Sequence, residues 1–498
     1  MGATPVNAAM LRSVASLAVA CAAGVVVLSV VGEALAPTWR TAPYRGEPLA
    51  SPPGGSDQPV ADTEPAASFE VRREDTEVPV RGARLAATVF APATPGRHPA
   101  VAFVQGAGSN GRNAFLGMAE DFARAGIVAV AYDKRSDYSY LGNRDFDQLA
   151  EDAAAVAAML RRRPDVDPAR AGLWGLSEGG RVVPLAASRH AEIGFAVVVS
   201  GAVRGPLRNT IWSVQEGLAR AGSPSGARRL AAQVLGAGRI ATLHLDPPQD
   251  TWEKVRQPVL LVYGTEDFLV PPAESTRAVA DGLRRGGNTS YTVAFFGGAD
   301  HGLRVDGKRA PGYLRTITDW ITGLPASGAT GGRVTGPAPR QRFASVPLPE
   351  PRWYGGIPAL AVTIGLMVVG YLVVPGILRR RARAGGGPWP AVEARTRILA
   401  RSSTATFIGL WVYIGLLVGL GYTRNGSAVL FHAGWGVLRF AALGAVVLAV
   451  LATRELIVAR ADGWSATGAQ RATLAVSLGT SAVLLLTAAY WGLYGPRW

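Results

Sequence analysis

The segment Gly172-Leu173-Trp174-Gly175-Leu176-Ser177-Glu178-Gly179-Gly180 carries the pattern Gly-x-Ser-x-Gly. The pattern alone is weak, because glycine supplies 61 of the 498 residues. Its position gives it force. A strand-like apolar run, Ala171–Leu176, leads in, and a helical pattern, Arg181–Arg189, leads out. A strand that turns sharply into a helix at this pattern is a nucleophile elbow. The turn is so tight that Gly175 and Gly179 must leave room for backbone on either side. Ser177 is expected in a strained conformation, with its hydroxyl projecting above the sheet.

A serine hydroxyl is a poor nucleophile at neutral pH without a base. In a strand–turn–helix arrangement the orienting acid and then the histidine follow the serine along the chain. Val259–Tyr263 reads as a strand, and Gly264-Thr265-Glu266-Asp267 is the loop after it. The next strand-like run, Tyr291–Phe296, leads into Gly297-Gly298-Ala299-Asp300-His301-Gly302. His301 alone among the histidines follows a late strand; His98, His190, His244 and His432 read as polar surface or interface residues. Three acids compete to orient His301. Asp267 stands where the acid is expected, Glu266 is its neighbour, and Asp300 is too close in sequence to fold back onto the imidazole and reads as a brace of its own turn. Asp267 is preferred. An oxyanion hole needs backbone N–H groups aimed at the developing charge. The residue after the nucleophile, Glu178, supplies one. The small-residue loop Gln105-Gly106-Ala107-Gly108-Ser109-Asn110-Gly111-Arg112-Asn113 supplies the other, with Ala107 as the expected donor.

Working outward, the length allows two to four domains at about 100–200 residues each. Residues 40–67 and 326–355 are rich in Pro, Gly, Ala and Ser and read as linkers. The domain between them, residues 68–325, alternates strand and helix. Its strand-like runs (Leu85–Phe90, Ala100–Gln105, Ile127–Tyr132, Ala171–Leu176, Gly194–Ser200, Pro258–Tyr263 and Tyr291–Phe296) are mostly unbroken apolar stretches, as in a sheet covered on both faces. Phe146, Leu149, Ala153, Val156 and Leu160 recur at helical spacing. An α/β fold with a mainly parallel sheet follows. Residues 203–256 interrupt the rhythm with helical patterns only and read as an inserted lid, with Trp212 and Leu218 as pocket walls.

Across residues 68–325 the chain resembles the α/β-hydrolase fold, and within it the bacterial serine esterases whose elbow reads Gly-His-Ser-Glu-Gly-Gly. The resemblance rests on Gln105–Asn113, Tyr132-Asp133-Lys134-Arg135, Asp165-Val166-Asp167-Pro168-Ala169-Arg170, Gly264–Pro272 and Gly298–Gly302, beside the elbow. It implies a serine hydrolase with Asp133 and Arg135 as structural supports. Leu176 stands where the family often has His, and Gln105 where a His usually precedes the oxyanion glycine. Both departures bear on substrate range and loop rigidity more than on the reaction.

The remainder belongs to a membrane. Residues 14–31 are uncharged and apolar, long enough for a span. Residues 1–39 form an N-terminal anchor, with a cleaved signal ending near Ala34-Leu35-Ala36 as the rival reading. Residues 356–498 hold four apolar runs, Gly356–Leu378, Thr404–Tyr422, Ala428–Ala452 and Ala472–Gly495. Gly415 and Gly419 are spaced for close helix packing. The formal net charge of +15 is concentrated here, with 17 basic against 4 acidic residues over 326–498. The loop 379–403 carries Arg379, Arg380, Arg381, Arg383, Arg395, Arg397 and Arg401 against Glu393 alone. Basic residues collect on the cytoplasmic side, so this loop is expected inside and the domain 68–325 outside the plasma membrane. The same distribution disfavours nucleic acid as a partner. No acid lies within the four runs, which disfavours ion-coupled transport; Arg439 is expected to snorkel to the outer face. A single cysteine, Cys21, excludes an intramolecular disulfide and a cysteine-based zinc site, and no His-Glu-x-x-His occurs. No metal or cofactor is expected.

The resulting expectation is a membrane-anchored serine hydrolase acting on a small-molecule carboxylic ester. A peptidase or acyltransferase would use the same Ser177, His301 and Asp267. A non-enzymatic membrane scaffold or sensor with a hydrolase-like domain is the alternative of a different class.

Overall fold

The computed structural model describes residues 6–36, 42–47, 49, 68–108, 111–139, 144–237, 250–324, 332–347, 351–373, 376, 380 and 391–495. The chain forms two compact units. One comprises Thr41–Ser213 and Ile240–Pro347; the other comprises Met1–Arg40, Val214–Arg239 and Leu348–Trp498.

The first unit is built on a nine-stranded sheet. Its strands are β1 (Val71–Val80), β2 (Ala83–Pro92), β3 (His98–Val104), β4 (Val128–Tyr132), β5 (Val166–Leu176), β6 (Ala196–Val199), β7 (Val259–Gly264), β8 (Tyr291–Phe296) and, after the small hairpin β9 (Arg304–Val305) and β10 (Lys308–Arg309), β11 (Arg333–Thr335). The order across the sheet is β1-β2-β4-β3-β5-β6-β7-β8-β11. From β4 to β11 every pairing is parallel, whereas β1 and β2 run antiparallel at one edge.

The apolar runs are unbroken because both faces are covered. Along β3, Ala100, Ala102 and Val104 enter one buried cluster while Val101 and Phe103 enter the other, as period-two side chains must. The helices α3 (Phe146–Arg161), α4 (Gly179–Arg189) and α8 (Pro272–Arg285) contribute to the first cluster. The helices α2 (Leu116–Arg124) and α9 (Tyr313–Thr322) contribute to the second. The stripe Phe146, Leu149, Ala153, Val156 and Leu160 is buried on α3, whose N-terminus is capped by Asp145 accepting from the Gln148 N–H at 3.0 Å. Under the elbow, Trp174 is buried edge-on against Phe103 with ring centroids 5.0 Å apart. Burying one such ring contributes about 2–3 kcal/mol.

Two segments differ from expectation. Strand β1, Val-Arg-Arg-Glu-Asp-Thr-Glu-Val-Pro-Val, has no apolar pattern because it is an exposed edge, where charge blocks further pairing. Residues 326–355, expected as a linker, contribute β11 to the sheet. They also contribute Ser345, which donates to Glu274 of α8 through its N–H at 2.7 Å and its hydroxyl at 2.6 Å. The 40–67 segment lies largely outside the described residues, although Pro43 bridges to Phe343.

The second unit contains α1 (Val6–Leu35), α6 (Ser225–Ala237), α10 (Ile357–Val368) with a following π-helical turn Val369–Val373, α11 (Ala391–Thr423), α12 (Ala428–Ala461) and α13 (Gly468–Tyr490). Among the described residues, four helices are long and apolar enough to cross a bilayer: Leu11–Leu35, Ala391–Thr423, Ala428–Ala461 and Gly468–Tyr490. Three of the four expected C-terminal spans are therefore long helices, while the first, Gly356–Leu378, is a shorter apolar helix over Ile357–Tyr371. Arg395, Arg397 and Arg401 lie on α11 itself and not in a loop. At 1.5 Å per residue this helix is about 50 Å long, more than the ~30 Å hydrocarbon core needs. Arg379, Arg381 and Arg383 lie outside the described residues.

Close packing in this unit falls at other glycines than expected. Gly415 and Gly419 face open space, whereas an added Cβ on Gly32 would stand 2.1 Å from the Ala489 carbonyl oxygen and one on Gly434 would meet the Tyr413 ring at 2.5 Å. Arg439 has carbonyl partners that the sequence did not identify. It donates to the carbonyls of Leu493 at 3.0 Å and Gly495 at 2.9 Å, at the end of the chain after α13.

The expected lid divides. Its helices are α5 (Pro206–Arg220), α6 and the short α7 (Thr251–Lys254), and the boundary between the units falls inside α5. Residues 238–249 lie outside the described residues. Leu218 is not a pocket wall: it is fully buried in the second unit, in one cluster with Val214, Leu230, Leu410, Leu417 and Phe431. A Cβ on Gly217 would stand 2.0 Å from the Gly421 carbonyl oxygen of α11, so α5 and α11 touch backbone to backbone. Trp212 is buried in the first unit, where its indole N–H donates to the Phe343 carbonyl at 2.9 Å.

Candidate active site

The chain reverses its direction across the sheet at β3, with β4 on one side and β5 on the other. Sites in open α/β sheets form outside the carboxyl ends of the strands at such a switch point. The loop after β3, the elbow after β5, the loop after β7 and the loop after β8 all leave from that edge.

At the elbow Ser177 adopts φ 55°, a left-handed conformation costly for a residue with a side chain. It is held there by its N–H donating to Val199 O at 2.9 Å and its carbonyl accepting from Ala202 N–H at 3.1 Å. The glycines are required by contact. A Cβ on Gly175 would lie 2.3 Å from the Gly179 oxygen, and one on Gly179 would lie 2.2 Å from the Val104 oxygen. Helix α4 starts at Gly179, so the positive end of its dipole faces the elbow.

Asp267 and His301 come together. Nδ1 of His301 lies 2.9 Å from Oδ2 and 3.1 Å from Oδ1 of Asp267. Asp267 is buried, and its Oδ1 also accepts the N–H groups of Leu269 at 2.9 Å and Val270 at 3.0 Å. Those bonds fix the carboxylate, which in turn fixes the tautomer that leaves Nε2 unprotonated. Burial opposes the imidazolium, but the Asp267 charge and hydrogen bond outweigh it, and the His301 pKa is raised above its usual 6.5. Glu266 is exposed, and Asp300 accepts from Gly302 N–H at 2.9 Å and Arg304 N–H at 3.0 Å.

The oxyanion candidates flank the serine. A Cβ on Gly106 would be 3.4 Å from Ser177 Cβ, so this loop runs against the elbow serine. Among the described residues, neither the Ala107 nor the Glu178 N–H is engaged in a turn or loop backbone hydrogen bond. Ser109 and Asn110 of the same loop lie outside the described residues. Asp133 holds the loop's far end by accepting from Arg112 N–H at 2.7 Å, and Arg135 donates to the buried Asp152 carboxylate of α3 at 3.2 Å. Gln105 donates its side-chain amide to the Tyr132 carbonyl.

Sequence reasoning used only the backbone of Glu178. Its side chain is buried and ion-paired with Lys134 at 2.6 Å and with Arg144, and accepts from Tyr138 hydroxyl at 2.8 Å. Burial pushes its pKa up, but Lys134 and Arg144 reverse this and hold it below the usual carboxylate range. The sequence held one signal: an acid placed just after a buried elbow needs cations.

Residues 138–324 match the model of the Prolyl oligopeptidase family. Solved structures with similar folds include a putative dienelactone hydrolase from Klebsiella pneumoniae (20% identity over 52% of this chain and 100% of that one, TM-score 0.37). An esterase from Pyrobaculum calidifontis shows 20% identity over 51% and 86% with TM-score 0.37. An acylaminoacyl peptidase from Pyrococcus horikoshii shows 16% identity over 51% and 42% with TM-score 0.36. No curated protein sequence matches the chain. The sheet order is that of the α/β-hydrolase fold, and the family match over residues 138–324 supports a serine hydrolase within it.

Proposed function

We propose that the hydrolase is a membrane-anchored esterase working outside the cytoplasmic membrane, through an acyl-enzyme on Ser177. The observation that most supports it is the His301–Asp267 bond of 2.9 Å, at the same sheet edge as the strained Ser177. In this reading Ser177 Oγ attacks the ester carbonyl and His301 Nε2 takes the hydroxyl proton. Asp267 stabilises the imidazolium. The carbonyl oxygen, now negative, accepts from Ala107 and Glu178 N–H groups. His301 returns the proton to the departing alcohol, and water attacks the acyl group by the reverse proton path.

A peptide substrate is the second reading, favoured by the description of the matched family. The bilayer is the proposed partner through the long apolar helices, and the arginine distribution supports an exterior catalytic domain.

Labelling with a serine-directed fluorophosphonate, together with turnover of short p-nitrophenyl esters and aminoacyl p-nitroanilides, tests this. Label and ester turnover are expected in the wild type, and both should vanish in a folded Ser177→Ala variant. Loss of one triad member typically removes several orders of magnitude in rate. Equal labelling of Ser177→Ala would show another serine to be the nucleophile. Anilide turnover without ester turnover would establish the peptidase instead. A wild type that neither labels nor turns over would leave a non-enzymatic scaffold.

A further inference from the structure

Lys134 sits beside the elbow with a 12% exposed side chain, and its ammonium makes two hydrogen bonds and one ring contact. Nζ donates to the Gly106 carbonyl at 2.9 Å and to Glu178 Oε1 at 2.6 Å, and lies 4.1 Å from the centroid of the Tyr138 ring. Each target belongs to, or steadies, one half of the proposed oxyanion hole. The Gly106 carbonyl shares a planar peptide with the Ala107 N–H. In a trans peptide these two groups point in opposite directions. A cation that pins the carbonyl on one side therefore aims the N–H to the other. The Glu178 carboxylate is the side chain of the second donor. Fixing it restrains the backbone between Ser177 and α4.

We propose that Lys134 is a positioning residue for the oxyanion hole, one ammonium holding both donor peptides in register against Ser177. It does not touch the substrate. It also polarises the Gly106–Ala107 peptide, because a positive charge on a carbonyl oxygen strengthens the N–H of the same amide as a donor. Burial lowers the Lys134 pKa, and the Glu178 carboxylate opposes that shift. Arg144 and Tyr138 share Glu178, but neither has a bond to Gly106, so only Lys134 links the two donors among the described residues.

The idea rests on Ser177 as the nucleophile, and its test separates the two claims. Lys134→Met, Lys134→Arg, Glu178→Gln and the double variant Lys134→Met/Glu178→Gln are compared in the full-length protein in detergent. The readouts are kcat and KM on a short p-nitrophenyl ester and inhibition by phenylboronic acid, whose serine adduct places an oxygen in the oxyanion hole. Lys134→Met is expected to lower kcat by roughly 10- to 100-fold with KM nearly unchanged, less than the about 10²–10³-fold lost when an oxyanion donor is removed outright, because the donors are misaimed and not deleted. The boronic acid should weaken by the same factor as kcat/KM. Lys134→Arg, which retains a cationic donor, should recover part of the loss. Lys134→Met leaves Glu178 short of one cation and can fail to fold; the double variant removes that charge and carries the test in that event. It should remain slow, because Gly106 still lacks its donor. A double variant with wild-type kcat would overturn the proposal, since Lys134 would then serve only to neutralise Glu178. A KM rise with unchanged kcat would also overturn it. Absence of Ser177-dependent labelling in the wild type would instead remove the nucleophile itself.

Discussion

His301 works between two opposed influences. Burial favours the neutral ring and Asp267 favours the protonated one; Asp267 prevails, so the pKa lies above 6.5. A general base must be neutral to accept the serine proton. The acid limb of the kcat/KM profile is therefore expected above about pH 6.5, the ordinary histidine value. Asp267→Asn removes the raising charge and leaves the burial. The limb should move to lower pH, while the rate falls on the order of 10³–10⁴-fold because the tautomer is no longer held. A limb that stays in place in Asp267→Asn would show that another group titrates there. Linkage runs in the same sense. With its folded pKa raised, His301 contributes stability that is present below the unfolded value and lost as pH rises through the folded one.

Among the elements, the helical segment after β6 behaves least like its sequence pattern. Read as one insertion it invites a single lid role, yet its second half packs with α11 and α12 through Val214, Leu218 and Leu230. Gly217 permits that packing by lying against the Gly421 carbonyl. Gly217→Leu should force α5 away from α11 and lower the thermal midpoint in detergent. The preference between short and long p-nitrophenyl esters should not change. A changed chain-length preference at unchanged stability would return this segment to the role of a pocket wall. Strand β1 teaches the converse. Its charged residues hide a strand because an edge needs hydrogen bonds to one neighbour and no burial on its outer side.

On the scale of the whole molecule, the decisive question is the side of the membrane on which the catalytic unit lies. The proposed answer depends on the first C-terminal apolar segment crossing the bilayer. Its described helical residues, 357–373, reach about 25 Å at 1.5 Å per residue, a few ångströms short of a ~30 Å core. Alkaline phosphatase fusions settle this. Fusions after Ala326 and Asn425 are expected to be active and a fusion after Gly386 inactive. Activity at Gly386 with activity retained at Ala326 would mean that the 356–378 segment does not cross. Activity at Gly386 with silence at Ala326 would invert the whole topology and place the catalytic unit in the cytoplasm.

The parts of this protein that local chemistry dictates were legible in the sequence. Unbroken apolar runs require a sheet covered on both faces. Glycines on each side of Ser177 require a turn too tight for a Cβ. The order serine, acid, histidine follows from the order in which successive strands end at one edge. Each is a constraint between near neighbours or between repeats of one pattern. The tertiary structure alone decided what depends on partners distant in the chain. That Leu218 faces α11, that Arg439 meets the carbonyls of Leu493 and Gly495, and that Ser345 is bound to Glu274 are facts of packing. A hydrophobic or charged residue states that it needs a partner, but not which one. Lys134 shows this most plainly: its sequence neighbours mark it as one charge among several, and only the fold brings Gly106 and Glu178 within reach of one ammonium.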